Sequence, residues 1–131
     1  MIFFVKDTPL DTIKTDLLVL TVDSKRTFNA KMKVFNNQTN GLLKKHIARD
    51  NFKGALGEAM FFSHLPGIQA ERVLLVGIGD QKKLNPRAFL KLVSTAVKHA
   101  SNHKIENLAL DIVDFAMVES GELFEKIGAI V

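Results

Sequence analysis

The segment Arg72–Gly79, RVLLVGIG, constrains the fold of this chain most strongly. Its short apolar run, rich in valine and leucine and ending in two glycines, predicts a strand buried on both faces of a sheet. A helix is predicted soon afterwards, because Asn85 can accept hydrogen bonds from free first-turn amides and Pro86 has no amide to leave unpaired. From Phe89 to Ala100 apolar residues then recur at helical spacing. A strand, a turn and an amphipathic helix in this order predict an α/β unit with the helix packed on the sheet.

The rest of the chain repeats this alternation. An apolar run covers residues 2–5, further strands are predicted at 17–22, 58–64 and 107–113, and further helices at 39–49 and 123–131. The polar stretch between Thr27 and Asn40 is interpreted as turns, because Asn-Asn and Asn-Gly pairs interrupt it. Together these elements predict one α/β sheet covered by helices on its faces.

Composition narrows the class of protein. A chain of 131 residues is most simply one domain, and its apolar runs fall far short of the ~20 residues that cross a bilayer. The chain has no cysteine, which excludes disulfides, a thiol nucleophile and a thiolate metal site. The N-terminus has no basic region before its apolar run and no cleavage site after it, so no signal peptide is predicted. We therefore expect a cytoplasmic protein without a membrane partner.

The net charge of +4 is unevenly distributed. The region from residue 25 to 53, here called the basic segment, contains one acidic residue, Asp50, whereas the chain from Glu106 onward is mainly acidic. The basic residues of the segment are Lys25, Arg26, Lys31, Lys33, Lys44, Lys45, Arg49 and Lys53. This asymmetry is compatible with an anionic partner, with contact between unlike faces of neighbouring subunits, or with two ordinary solvated surfaces.

The glycine pair Gly77 and Gly79 invites comparison with phosphate-binding loops. A dinucleotide fingerprint needs a third glycine three residues later, where this chain has Lys82, and a helix that begins directly after it. A P-loop would need a Gly-Lys-Ser/Thr ending, which is missing here. The pair is therefore interpreted as a tight turn off the sheet. Anion binding by the amides of this turn, beside Lys82 and Lys83, stays open as a second interpretation.

Other polar side chains give weaker signals. His99 and His103 stand four residues apart on the predicted helix, but the zincin glutamate is missing between them, so metal binding is the less favoured interpretation. The remaining histidines, His46 and His64, have no companion in a motif, and the aspartates Asp111 and Asp114 are predicted to be solvated. The residues alone identify no catalytic, cofactor-binding or metal-binding side chain.

Nucleic-acid binding would combine the basic segment with aromatic rings that stack on bases. Phe28 and Phe35 are the best candidates for exposed rings in this segment. Tyrosine and tryptophan are absent from the sequence, which keeps the signal weak.

Several motifs carry a family resemblance when they are taken in order. The segment from Arg72 to Phe89 resembles a typical R-V-hydrophobic-L-V-G-L-G strand, a charged loop and a helix opened by Thr/Ser/Asn-Pro. Residues 52–58, FKGALGE, resemble an F-x-G-K-x-G-E segment, with Ala55 where lysine is common. The strand at 15–22 and the helix after Asn40-Gly41 also fit. Over almost its whole length the chain is similar to the N-terminal domain of the leucine (cytosol) aminopeptidase family.

The resemblance implies a macro-like three-layer α/β domain with a mixed, mostly parallel sheet. Members of the family are two-domain metallo-aminopeptidases, generally homohexamers, that release N-terminal amino acids using two divalent metals such as zinc or manganese. Their metal ligands, catalytic lysine and arginine, and Asn-Thr-Asp-Ala-Glu-Gly-Arg signature belong to the C-terminal domain. The resemblance thus implies no catalytic, cofactor-binding or metal-binding residue in this chain.

Residues 1–131 are accordingly expected to form a single non-catalytic N-terminal domain that serves assembly or regulation. The apolar helical pattern continues through residues 128–131, which suggests a cut before the catalytic domain. The expected partners are that catalytic domain and sister subunits, together with DNA through the basic segment, since some bacterial members bind DNA. The alternatives are a stand-alone macro-like module that binds ADP-ribose or a related nucleotide at the loop after Gly79, and a nucleic-acid-binding domain.

Overall fold

A computed structural model describes residues 2–5, 8–80 and 85–111. These residues form five strands, β1 (Ile2–Val5), β2 (Leu17–Asp23), β3 (Ala59–Ser63), β4 (Arg72–Gly79) and β5 (Leu108–Asp111). They also form three α-helices, α1 (Ala30–Gln38), α2 (Leu42–Arg49) and α3 (Pro86–Asn102), and a 3₁₀ turn at Leu10–Thr12. The helix predicted at 123–131 and the last two residues of the strand predicted at 107–113 lie outside the described residues. None of the helices described has the length and apolarity that a membrane span requires.

The strands form one sheet in the order β1-β5-β2-β4-β3. The pairs β1/β5, β5/β2 and β2/β4 are parallel, and β3 runs antiparallel to β4 at one edge. The predicted mixed and mostly parallel sheet is confirmed. Because parallel strands share one direction, the carboxyl ends of β2 and β4 meet at the same edge of the sheet.

Helices cover both faces of this sheet. In β2, Leu18 and Leu20 join a core with residues of α1 and α2, whereas Leu17 and Val19 join a second core with residues of α3. Alternate residues of a strand point to opposite faces, so the sheet forms the middle of three layers. The predicted three-layer α/β architecture is confirmed.

The start of α3 follows the sequence prediction. The Asn85 side chain accepts a hydrogen bond from the Ala88 amide at 2.8 Å, and Pro86 is the first helical residue. Phe89 and Leu92 are fully buried against the sheet. The cap, the proline and the apolar spacing together place this helix.

Helix α1 corrects the prediction of turns between Thr27 and Asn40, which was wrong. The Asn29 side chain accepts a hydrogen bond from the Met32 amide at 2.9 Å and caps the helix. Met32 and Phe35, three residues apart, anchor its inner face in the core. The Asn40-Gly41 pair is a real turn signal, with both residues at positive φ, and it separates α1 from α2. Two buried residues and a cap are enough for a short helix within a domain, because tertiary packing supplies most of its stability.

Candidate functional site

The glycine turn at the end of β4 is closed by backbone hydrogen bonds. The Gly77 amide donates to the Glu58 carbonyl at 2.7 Å, and the Gly79 amide donates to the Gly54 carbonyl at 2.8 Å. The carbonyl of Gly77 accepts from the Gly57 amide at 3.1 Å, and that of Gly79 from the Ser24 amide at 2.8 Å. An anion cannot use the Gly77 and Gly79 amides without breaking these bonds, so the structure supports the interpretation as a turn. Lys82 and Lys83, the other part of the anion-binding interpretation, lie outside the described residues.

Residues 52–58, here called the bracing loop, supply most of these partners. Phe52 is buried and its amide donates to the Ile47 carbonyl at 3.0 Å, which ties the loop to α2. The Glu58 carboxylate accepts hydrogen bonds from the Lys53 amide at 3.0 Å and the Ala55 amide at 3.1 Å. Gly54 and Gly57 both have positive φ, a conformation that glycine adopts at no steric cost. The F-x-G-x-x-G-E pattern thus has a structural explanation as a brace for the end of β4.

The bracing loop lies too close to β4 for a side chain at Gly77. A Cβ atom at Gly77 would lie 2.0 Å from the Ala55 carbonyl oxygen. Glycine is needed here for the close approach of two backbones, which is the role that a glycine in a strand often has.

The basic segment lies on two connected parts of the fold. Arg26 belongs to the connection between β2 and α1, and Lys44 and Lys45 belong to α2. All its basic residues are exposed except Lys31, which is half-buried and places its Nζ 3.0 Å from Asp111 Oδ1. Asp111 is buried, so the prediction that it is solvated was wrong, and Asp114 lies outside the described residues.

The stacking role predicted for two phenylalanines was also wrong. Phe28 and Phe35 are only 3% and 0% exposed. Both belong to the core between the sheet and the helices α1 and α2. Neither ring can stack on a nucleic-acid base in this conformation.

A cavity of about 350 Å³ opens between α2 and the β2–α1 connection; we call it the cationic cavity. It is lined by Arg26, Phe28, Lys44, Ile47, Ala48 and Asn51. Lys44, Ile47 and Ala48 fall at the i, i+3 and i+4 spacing that places residues on one side of α2, and Asn51 lies two residues beyond the end of this helix. The Lys44 Nζ lies 5.0 Å from the centroid of the Phe28 ring, a cation–π distance. No local sequence pattern predicts this cavity, because the region before α2 has the composition of turns.

Two of the four histidines contact phenylalanine rings of β3. His103 stacks on Phe61 of β3 with ring centroids 4.1 Å apart, and His46 meets the Phe62 ring edge to face at 5.4 Å. Burial lowers the pKa of His99, and the neighbouring charges of His103 and Lys98 lower it further. His64 follows β3 at positive φ.

No three His, Asp or Glu side chains converge into a metal-binding group within residues 2–5, 8–80 and 85–111. The residues that the structure describes therefore do not fit the two-metal centre that the family resemblance implies. No catalytic step through metal ions is derived from these residues.

A family comparison agrees with the motifs and the fold. The model of the family described as "Cytosol aminopeptidase family, N-terminal domain" matches residues 19–131. The chain belongs to this family. It is 33% identical over 121 residues to a probable cytosol aminopeptidase of Pseudomonas aeruginosa, and 34% identical over 90 residues to one of Azotobacter vinelandii. The matches cover 92% and 69% of this chain but 24% and 18% of the relatives. The chain thus matches between about a fifth and a quarter of the length of these relatives.

Two solved structures have folds similar to that of this chain. A mutant tomato leucine aminopeptidase superposes with a TM-score of 0.71 at 21% identity, over 98% of this chain and 26% of the enzyme. The macrodomain of Thermus aquaticus DarG superposes with a TM-score of 0.67 at 13% identity, over 99% of this chain and 89% of the macrodomain. These likenesses confirm the macro-like fold of this cytosol aminopeptidase N-terminal domain.

Proposed function

We propose that this chain is the non-catalytic N-terminal domain of a leucyl aminopeptidase, a two-metal exopeptidase that releases N-terminal amino acids from peptides. The observation that carries the proposal is the match of residues 19–131 to the model of the family's N-terminal domain. The chain also covers only 24% of the length of the Pseudomonas aeruginosa relative. A part of this size that resembles the N-terminal domain leaves most of each relative for the catalytic chemistry.

The two metals, zinc or manganese, are assigned to a C-terminal catalytic domain rather than to this chain. Within the described part of the chain, the acidic and imidazole groups have other surroundings. Asp111 pairs with Lys31, the Glu58 carboxylate accepts amides of the bracing loop, and His103 stacks on Phe61. The domain is proposed to contribute to assembly or regulation, with its own catalytic domain and the sister subunits of a homohexamer as partners. The relatives are named cytosol aminopeptidases, which supports a cytoplasmic location.

A turnover assay tests where catalysis resides. The pure 131-residue chain should release no p-nitroaniline from leucine-p-nitroanilide in the presence of manganese. The product of the complete reading frame should release it, and a chelator should stop the reaction. Chelator-sensitive turnover by the pure chain would contradict the assignment of catalysis to another domain. An inactive complete product that lacks the Asn-Thr-Asp-Ala-Glu-Gly-Arg signature would contradict the enzyme assignment itself.

A second proposed role is binding of duplex DNA by the basic segment. This role is favoured by the exposure of seven of its basic residues, among them Lys44 and Lys45 side by side on α2. Because Phe28 and Phe35 are buried, the segment would contact phosphates rather than stack on bases. The affinity for a duplex oligonucleotide should therefore fall steeply with salt and weaken when Lys44 and Lys45 are both replaced by glutamine. Affinity that is insensitive to salt and to both replacements would contradict this role.

A further inference from the structure

The cationic cavity has an unbalanced charge. Arg26 and Lys44 line it, and none of the described lining residues carries a carboxylate. Neither cation forms an ion pair with a described carboxylate. Within the described residues Lys31 pairs with Asp111, and Asp50 Oδ2 lies 3.9 Å from the imidazole of His46. Two positive groups therefore face one concave surface, where a bound anion would find two charge-assisted donors.

The acidic residues nearest to the cavity along the chain are engaged elsewhere. The Asp23 carboxylate accepts a hydrogen bond from the Thr27 amide at 3.2 Å and holds the turn that precedes α1. Asp50, the C-cap residue of α2, places its Oδ2 3.9 Å from His46 Nδ1. Neither aspartate lines the cavity. The described lining of the cavity thus carries a net positive charge.

The floor of the cavity is apolar. Phe28 and Ile47, exposed by only 3% and 7%, line the cavity and belong to the protein core, and the Lys44 Nζ lies 5.0 Å from the centroid of the Phe28 ring. A volume of about 350 Å³ is at the lower end of the range for sites that hold small organic ligands. A bare inorganic anion would use the cations but would leave the apolar floor without contacts. The combination fits an organic molecule that carries an oxyanion.

The backbone at the cavity adds an independent observation. Arg26 and Asn51 both have φ of 56°, in the left-handed region, a value that His64 and Lys104 share elsewhere in the fold. Asparagine tolerates this conformation, whereas for arginine it is unfavourable and glycine would adopt it more easily. Strained residues of this kind cluster at ligand sites, where the position of the side chain matters more than the strain. Here the strained residue is one of the two cations that line the cavity.

We propose that the cationic cavity binds a small organic oxyanion, a carboxylate or phosphate group carried by a flat apolar body. Arg26 and Lys44 bind the oxyanion, and Asn51 offers an amide for a further hydrogen bond. The exposed Ala48 methyl group and the small accessible edges of Phe28 and Ile47 contact the apolar body. The site involves none of the chemistry assigned to the catalytic domain. Loss of the aminopeptidase assignment would therefore not affect the proposal of anion binding, and loss of anion binding would not affect the aminopeptidase assignment.

Titration of the pure chain with phenyl phosphate and benzoate, followed by calorimetry and amide NMR, tests the proposal. We expect saturable binding, with chemical-shift changes at residues 26, 44, 48 and 51. Replacing Arg26→Gln or Lys44→Gln should weaken binding about tenfold or more, because each removes a charge-assisted contact. Ala48→Leu should block the cavity without changing its charge, and leucine suits a helix, so the chain should still fold. Inorganic phosphate should bind more weakly than phenyl phosphate, and neutral benzyl alcohol should not bind.

Lys45→Gln is the matched control, because Lys45 carries the same charge on α2 but does not line the cavity. This variant should bind phenyl phosphate as the unmodified chain does, while losing affinity for duplex DNA as Lys44→Gln does. An equal loss of phenyl phosphate binding in both variants would show a diffuse charge effect and overturn the proposal. No binding of either aromatic anion at millimolar concentration, or unchanged binding in Ala48→Leu, would also overturn it. Melting curves of each variant distinguish lost binding from lost folding.

Discussion

The glycine turn and the cationic cavity differ in how the fold treats their polar groups. At the turn, the amides and carbonyls of Gly77 and Gly79 are paired with the bracing loop and with Ser24. At the cavity, Arg26 and Lys44 line a concave surface and have no described carboxylate partner. The turn resembles a phosphate-binding motif in sequence, yet its glycine amides donate to backbone carbonyls of the bracing loop. The cavity has no sequence motif, yet it has the features of an anion site.

The difference shows why a glycine motif alone is poor support for ligand binding. Glycine permits close backbone approach, and the approaching group can be a ligand or another part of the chain. Here the Ala55 carbonyl occupies the space that a Cβ at Gly77 would need. A buried backbone group that is already paired gains little from a ligand, whereas an unbalanced charge beside an apolar surface can gain a strong contact.

The largest expected effect comes from Gly77→Ala, which forces the brace away from β4. The new methyl group would meet the Ala55 oxygen and the Gly54 carbonyl carbon, both of them backbone atoms that cannot rotate away. We expect the free energy of unfolding to fall by about 3 kcal/mol, measured by urea denaturation. Phenyl phosphate binding by the molecules that stay folded should be retained, since Gly77 does not line the cationic cavity.

Gly41→Ala is the control that separates contact from conformation. Gly41 has φ of 75°, but nothing lies within 4 Å of a Cβ built there. This variant should cost only about 1 kcal/mol, the penalty for a left-handed residue with a side chain. Equal losses in the two variants would contradict the bracing role of the contact at Gly77.

Glu58→Gln tests the carboxylate that shapes the bracing loop. The carboxylate accepts from the amides of Lys53 and Ala55, and a glutamine keeps one acceptor oxygen but loses the charge and the second oxygen. We expect a loss of about 1 to 2 kcal/mol in the free energy of unfolding, the range for hydrogen bonds to charged groups. Glu71→Gln replaces an exposed glutamate and should change stability little. A similar loss in both variants would remove the special role of Glu58.

Arg26→Gly extends the comparison to the cavity, where we expect stability and binding to change in opposite directions. Glycine relieves the left-handed strain at φ of 56°, so the free energy of unfolding should rise by up to about 1 kcal/mol. The same change should weaken phenyl phosphate binding, because it removes one of the two cations. Lys25→Gly, one residue earlier and not at positive φ, should stabilise nothing. Destabilisation by Arg26→Gly would show that arginine fills this position for packing.

The sequence predicted the strongly patterned part of the fold and missed what depends on tertiary contacts. β4 and α3 were predictable because Asn85, Pro86 and the apolar spacing agree with one another. Helix α1 was missed because its two core residues, Met32 and Phe35, stand among asparagines that are typical of turns. The burial of Phe28 could not be read from a basic stretch, since it depends on α2 packing from later in the chain. The cationic cavity depends on the same packing, which no local pattern records.

The smallest expected effect concerns His99, which tests whether α3 carries a pH-dependent term. Burial, with His103 and Lys98 nearby, lowers the pKa of His99 below the ordinary value of 6.5. Between those two pKa values the unfolded chain binds a proton that the folded chain does not, so stability should fall as pH falls below 6.5. NMR titration should show the depressed pKa, and His99→Gln should flatten this part of the stability profile. His103→Gln should raise the pKa of His99 only in part, because burial, the larger cause, is left in place. A pKa of His99 at or above its ordinary value would contradict the prediction. Neither variant should alter phenyl phosphate binding, because no described residue of α3 lines the cationic cavity.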